Sequence, residues 1–311
     1  MMIQEKNKQI LSDAVWGFVI GDALGVPVEF ESRELLQKYP VQELTGWGSH
    51  HQPPGTWSDD TSMMLCTLEC LKKGGSMTDL ANLFLSWYQD GYLAAHEELF
   101  DIGITTRLAM ERLQEGDPWF QSGNSEERSA CGNGSLMRIL PYAFFDSYIQ
   151  ADTPTRFSQI SKAGSITHAH VIPHFCSFLY VELIKELING QSLLEALTAA
   201  REHTIAAMDQ DPNKELVTNK MQQLLEADFS TIPVTQIKSG GYVVHTLEAV
   251  IWSALQGTDF RSTVLTAINL GEDTDTVGAL TGAVAAILYG PDLEWKNKIV
   301  APDKITKVLS F

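Results

Sequence analysis

Apolar residues along the chain recur mostly at helical spacing. After Ser58-Asp59-Asp60, a strong N-cap cluster, Leu65, Leu68 and Leu71 form one stripe with Cys66 and Cys70. The same period predicts helices over 80–88, 104–113, 175–188, 193–203, 216–227, 243–255 and 260–270. A last helix is expected over 276–288, stopped by Gly290-Pro291. Near the start, the small residues of Gly21-Asp22-Ala23-Leu24-Gly25 suggest a closely packed helix. Pro27 should end it and leave Glu29 on a loop. Alternation with period two is scarce, and 236–244 is a weak strand candidate at most. The pattern predicts an all-α protein. No composition shift or tandem repeat divides it, so a single domain over 1–311 is the economical reading. Two long loops, 38–57 and 115–133, carry Gly and Pro and run directly into polar motifs, which marks them as functional.

Composition narrows the chemistry. The 311 residues hold 22 Lys+Arg against 39 Asp+Glu, a net charge of −17, and 44% hydrophobic residues. That apolar fraction can fill a sizeable core and argues against disorder. The longest basic run is Lys72-Lys73, so a protein that grips nucleic acid or an anionic membrane through bulk charge is excluded. The four cysteines contain no CxxC pair, which disfavours a disulfide framework or structural zinc. The first 17 residues lack a signal-peptide core, and the apolar stretch 277–289 is too short to span a bilayer. A cytoplasmic protein without integral membrane association is the expectation.

Several segments carry possible chemistry, each with a plainer alternative. Ser58-Asp59-Asp60-Thr61 offers hard oxygen ligands for Mg²⁺, Mn²⁺ or Ca²⁺, but Ser and Asp are also the usual helix caps. Gly271-Glu272-Asp273-Thr274-Asp275-Thr276 repeats that grammar before a small-residue helix. Two such ends, if they meet, would build a site for a metal pair. Cys131-Gly132-Asn133-Gly134-Ser135 is a Gly-x-Gly turn expected to run into a helix and offer backbone N–H groups to an anion, or else a plain turn. It is neither a Walker loop nor a dinucleotide fingerprint. His168, His170 and His174 have partial zinc spacing, but Pro173 intervenes and no HExxH glutamate is present. Glu29 is either a surface carboxylate or a base on a movable segment.

Seven segments taken together are similar to the ADP-ribosylglycohydrolase family, which includes the dinitrogenase reductase-activating glycohydrolases. They are GDALGVPVEF, WSDDTSMM, FDIGITTR, CGNGSLMRILP, SITHAH, SGGYVVHTLEAVIW and GEDTDTVGALTGAVAAILYG, in the family's order over nearly the whole chain. The resemblance implies an all-α, orthogonally packed fold with two divalent cations, Mg²⁺ or Mn²⁺. It implies cleavage of the bond between C1″ of ADP-ribose and an acceptor atom, with an ADP-ribosylated protein or conjugate as partner; a monomer is the expectation for the chain itself. By the family pattern Ser58, Asp59 and Asp60 hold one metal and Asp273, Asp275 and Thr276 the other. Glu29 matches a flap glutamate near the scissile ribose, and Asp101 a carboxylate near the acceptor, often a guanidinium. Gly132, Asn133, Gly134 and Ser135 match the diphosphate loop, His168 the ADP-ribose pocket and Tyr242 its wall. Ser58 stands where the family usually has Thr, and Glu272 where it often has Gly. The extra carboxylate is expected to bear on the metal centre. Two further readings stay open: O-linked or small-molecule conjugates as substrates, and a non-catalytic ADP-ribose binder.

Overall fold

A computed structural model describes residues 2–209 and 211–311. At its centre the N-terminal helix, Glu5–Gly25, lies against the helix Thr274–Tyr289. Glycines make the contact possible. A Cβ on Gly17 would come within 2.3 Å of the Gly282 carbonyl oxygen, and one on Gly21 within 2.0 Å of the Gly278 oxygen. From the other side, a Cβ on Gly282 would lie 2.1 Å from the Gly17 oxygen. Spacing of four residues on both helices keeps these positions on one face, so backbone packs directly on backbone. At the end of the row, a Cβ on Gly25 would be 2.4 Å from Asp275 Cα. The glycine row therefore fixes where Asp275 stands.

Other helices close around this pair. Val243–Gln256 and Phe260–Ile268 pack on Thr274–Tyr289, and Val171–Ile188 packs on Leu193–Met208. Buried apolar side chains form one continuous cluster from Ile3 to Val308. The helix Glu5–Gly25 with the 3₁₀ turn that follows is long and apolar enough to cross a membrane by length and composition. Yet 83% of that apolar window is buried inside the protein, as expected for a core helix.

The helical pattern holds with shifted ends and five differences. The expected helix over 216–227 is two, Lys214–Lys220 and Gln222–Glu226, separated at the fully buried Met221. The strand candidate 236–244 forms no strand. It contributes one isolated bridge, Gly132 to Tyr242. The Gly132 loop leads into successive turns and then the 3₁₀ helix Leu140–Phe144, not directly into an α-helix. The helix Thr153–Ser165, capped by the Asp152 carboxylate, was not apparent from the pattern. Loop 115–133 contains two single-turn helices, Trp119–Ser122 and Glu127–Ala130. Pro27 ends the first helix as expected, inside the 3₁₀ turn Val26–Val28.

Candidate active site

The two acidic helix starts meet. Thr276 Oγ1 donates to Asp60 Oδ2 at 3.3 Å, which joins the N-terminus of Asp59–Lys73 to that of Thr274–Tyr289. The capping alternative is settled locally. Ser58 Oγ accepts from the Asp60 N–H, and a third helix supplies the rest through Asp22. The Asp22 carboxylate accepts from the Ser58 N–H at 2.9 Å, the Thr61 N–H at 3.1 Å and the Thr61 hydroxyl at 2.6 Å. Capping thus leaves the acidic pair largely unused. Among the described residues, Asp60 Oδ1 and Asp273 Oδ1 are buried with no hydrogen-bond partner. An orphaned buried carboxylate oxygen is costly, and a bound cation removes that cost.

A cleft of about 430 Å³ opens over this junction. Six carboxylates line it, from Glu29, Asp59, Asp60, Asp101, Asp273 and Asp275, and no Lys or Arg does. Burial pushes Asp59, Asp60 and Asp275 well above the usual carboxylate range, and their mutual repulsion adds to the shift. Burial also raises Asp101 and Asp273. Oxygens of Glu29, Asp273 and Asp275 lie within 4.8 Å of one another. This all-oxygen donor set with two orphaned oxygens fits hard divalent cations such as Mg²⁺ or Mn²⁺. Ser58 sits behind the cleft, with its hydroxyl 3.3 Å from Asp60 Oδ2.

Glu29 lies on the turn after the first helix and is buried, not on the surface. Its backbone is clamped: the Phe30 N–H donates to the Glu272 carbonyl at 2.6 Å, and the Glu272 N–H to the Glu31 carbonyl at 2.8 Å. Loop 38–57 closes the other side, with Ser49 Oγ donating to the Glu29 carbonyl at 2.5 Å. His50 of the same loop contacts the Glu29 carboxylate through Nε2. Burial raises Glu29 to about 7, against the opposing pull of His50.

The extra carboxylate of Glu272 does not join the metal cluster. Its backbone takes the left-handed conformation, φ 64°, which explains why glycine suits the position. The side chain points toward Gly240, into a neighbouring cavity with Arg33, Lys238 and His245.

Away from the carboxylates, the cleft is walled by Gly132, Asn133, Gly134, His168 and Gly241. Antiparallel pairing ties the loop down, with the Asn133 N–H on the Gly241 carbonyl at 3.1 Å and the Val243 N–H on the Cys131 carbonyl at 3.0 Å. Gly134 cannot be larger, because a Cβ would lie 2.7 Å from His168 Cε1. Burial holds His168 neutral, down to about 3. Arg138 is buried beneath and braces the loop by donating to the Gly134 carbonyl at 2.8 Å.

Three expected pocket residues sit differently from the simple reading. The Asn133 side chain is already engaged: Nδ2 donates to Asp273 Oδ2 at 2.9 Å and to Thr246 Oγ1 at 3.1 Å. It orients a candidate metal ligand. Ser135 is fully buried outside the cleft lining, and its hydroxyl has no partner among the described residues. Tyr242 lines an adjoining cavity with Cys131 and Lys220, linked to the cleft through Gly132 and Gly241. His170 and His174 have separate local partners, the Cys131 thiol and the His168 carbonyl. Pattern reading missed Asp22 and His50. Asp22 was hidden as one polar residue inside an apolar helix, a signal that could have been weighed.

A family model described as ADP-ribosylglycohydrolase matches residues 5–309. The chain belongs to the ADP-ribosylglycohydrolase family. It is a glycohydrolase by that membership. The chain is 33% identical over 302 residues to an ADP-ribosylarginine hydrolase, Tri1, of Serratia proteamaculans (strain 568), covering 95% of this chain and 76% of that protein. It is 28% identical over 284 residues to the ADP-ribosyl-[dinitrogen reductase] glycohydrolase of Rhodospirillum rubrum, covering 90% and 85%. A solved structure described as an ADP-ribosylglycohydrolase-related protein complex superposes with a TM-score of 0.78 at 29% identity, covering 98% of this chain and 97% of that one.

Proposed function

We propose that this glycohydrolase releases ADP-ribose from the guanidinium of a modified arginine on a protein, using two divalent cations, Mg²⁺ or Mn²⁺. The observation that carries the reading is the junction of the two acidic helix starts, with Asp60 Oδ1 and Asp273 Oδ1 left unpartnered beside it. Ser58, Asp59 and Asp60 would hold one ion, and Asp273, Asp275 and Thr276 the other. When bound, such ions supply charge that orients ribose hydroxyls and a water. The chain's own residues do the remaining work. The Gly134 and Ser135 N–H groups of the Gly132–Ser135 turn supply donors for the diphosphate, the Asn133 N–H being held by the Gly241 carbonyl, which lets an acidic protein bind an anionic nucleotide. Carboxylates stabilise positive charge that develops on the ribose as the C1″ bond breaks. Glu29 is placed to hold a proton at its carboxylate beside the reacting centre, as acid or base. Asp101, with a carboxylate oxygen within 4.8 Å of one of Glu29, offers a carboxylate to a cationic guanidinium leaving group.

A linkage panel tests the reading. Arginine-, serine- and nucleotide-linked ADP-ribose are each incubated with Mg²⁺, Mn²⁺ or EDTA. Release from the arginine linkage with either ion, and none in EDTA, is the expected result. Cleavage of the serine or nucleotide linkage alone would reject arginine. Asp59→Asn or Asp275→Asn with undiminished release would reject the metal roles.

A further inference from the structure

Glu29 needs something to hold it. It lines a cleft shared with Asp59, Asp101, Asp273 and Asp275, and its carboxylate lies within 4.8 Å of oxygens of Asp273 and Asp275, where like charges repel. Its one side-chain hydrogen bond among the described residues comes from His50 Nε2. The imidazole is well enclosed, its side chain 12% exposed, between the Phe30 ring at 5.8 Å and the Phe100 ring at 5.4 Å. One ligating atom each of Glu29, His50 and Asp101 lies within 4.8 Å of the others. The loop that carries His50 is itself locked to the Glu29 turn. The Ser49 N–H donates to the Pro27 carbonyl at 2.9 Å, and a Cβ on Gly48 would lie only 1.6 Å from that oxygen.

We propose that His50 is a positioning residue for the hydrolysis. It fixes the Glu29 carboxylate through Nε2, so that the flap carboxylate and the acceptor-side Asp101 keep one spacing across the scissile bond. The inference rests on the hydrolase reading above. The physical basis is that a displacement of about 1 Å in a reacting group lowers turnover by roughly a hundredfold, while the rest of the pocket is built from other elements.

The test compares His50→Ala and His50→Gln with wild type on arginine-linked ADP-ribose, alongside calorimetric binding of free ADP-ribose and thermal melting. Gln places an amide donor near the position of Nε2. His50→Ala is expected to lower kcat by about 10–100-fold, with KM, ADP-ribose affinity and melting temperature nearly unchanged. His50→Gln is expected to recover most of the loss. In a Glu29→Gln background, adding His50→Ala should lower kcat less than twofold further, because the residue acts through Glu29. Unchanged kcat in His50→Ala, a parallel fall in ADP-ribose affinity or melting temperature, no rescue by Gln, or additive losses would each overturn the proposal. Wild-type protein that releases no ADP-ribose would instead overturn the hydrolase reading itself, and this inference with it.

Discussion

Asn133 shows how one side chain can serve a metal site by holding a ligand in place. Both of its amide hydrogens are committed, to Asp273 and to Thr246. Replacing it by Ala frees Asp273 to turn, and partners of this kind are typically worth 10–100-fold in metal affinity. Asn133→Ala should therefore weaken Mn²⁺ binding by about tenfold or more, read by calorimetric titration, while Ser135→Ala should leave it unchanged. Asp59, Asp60, Asp273 and Asp275 were legible in the sequence because two carboxylates followed by a small-residue helix is an uncommon repeat. Whether they capped or ligated was not legible, since that depended on Asp22 arriving from a helix far away in sequence. The role of Asn133 was hidden for the same reason: its partner is 140 residues on.

At the scale of elements, the helix pair Glu5–Gly25 and Thr274–Tyr289 couples stability to the site. Gly21→Ala would push a methyl against the Gly278 carbonyl, 2.0 Å away. Overpacking of this kind costs about 3 kcal/mol, so melting temperature should fall by roughly 5 °C. Gly25→Ala makes the same intrusion against Asp275 and should also lose cation binding, whereas a surface change such as Lys6→Ala should do neither. Melting curves with and without Mn²⁺ separate the effects. The helices themselves were readable from period and caps, with ends displaced by a few residues. Failures occurred where tertiary packing decided, as at Met221, where one apolar period folds as two short helices. Loop 38–57 was recognised by length and glycine content, but its task of clamping Glu29 is a long-range contact that periodicity does not encode.

Across the whole molecule, the net charge of −17 is partly an internal feature. Two divalent cations would bring it to −13, and the charges they offset are those buried in the cleft. Burial raises Asp22 to about 6 and Glu29 to about 7, and holds Asp59, Asp60 and Asp275 higher than ordinary carboxylates. The folded, metal-free chain therefore keeps protons that the unfolded chain gives up. Its stability is greatest below the ordinary carboxylate range and falls as pH rises through about 6 to 7. Cations displace those protons, so stabilisation by Mg²⁺ or Mn²⁺ should grow between pH 5 and pH 8. Melting in EDTA and in Mn²⁺ at both ends checks this, and a gain independent of pH would contradict it. The central claim is that the two acidic helix starts form one metal-pair centre. Electron paramagnetic resonance during Mn²⁺ titration tests it most directly. Two Mn²⁺ per chain with a spin-coupled signal, lost in both Asp60→Asn and Asp275→Asn, is the expected result. Mn²⁺ binding left intact by both substitutions would contradict it.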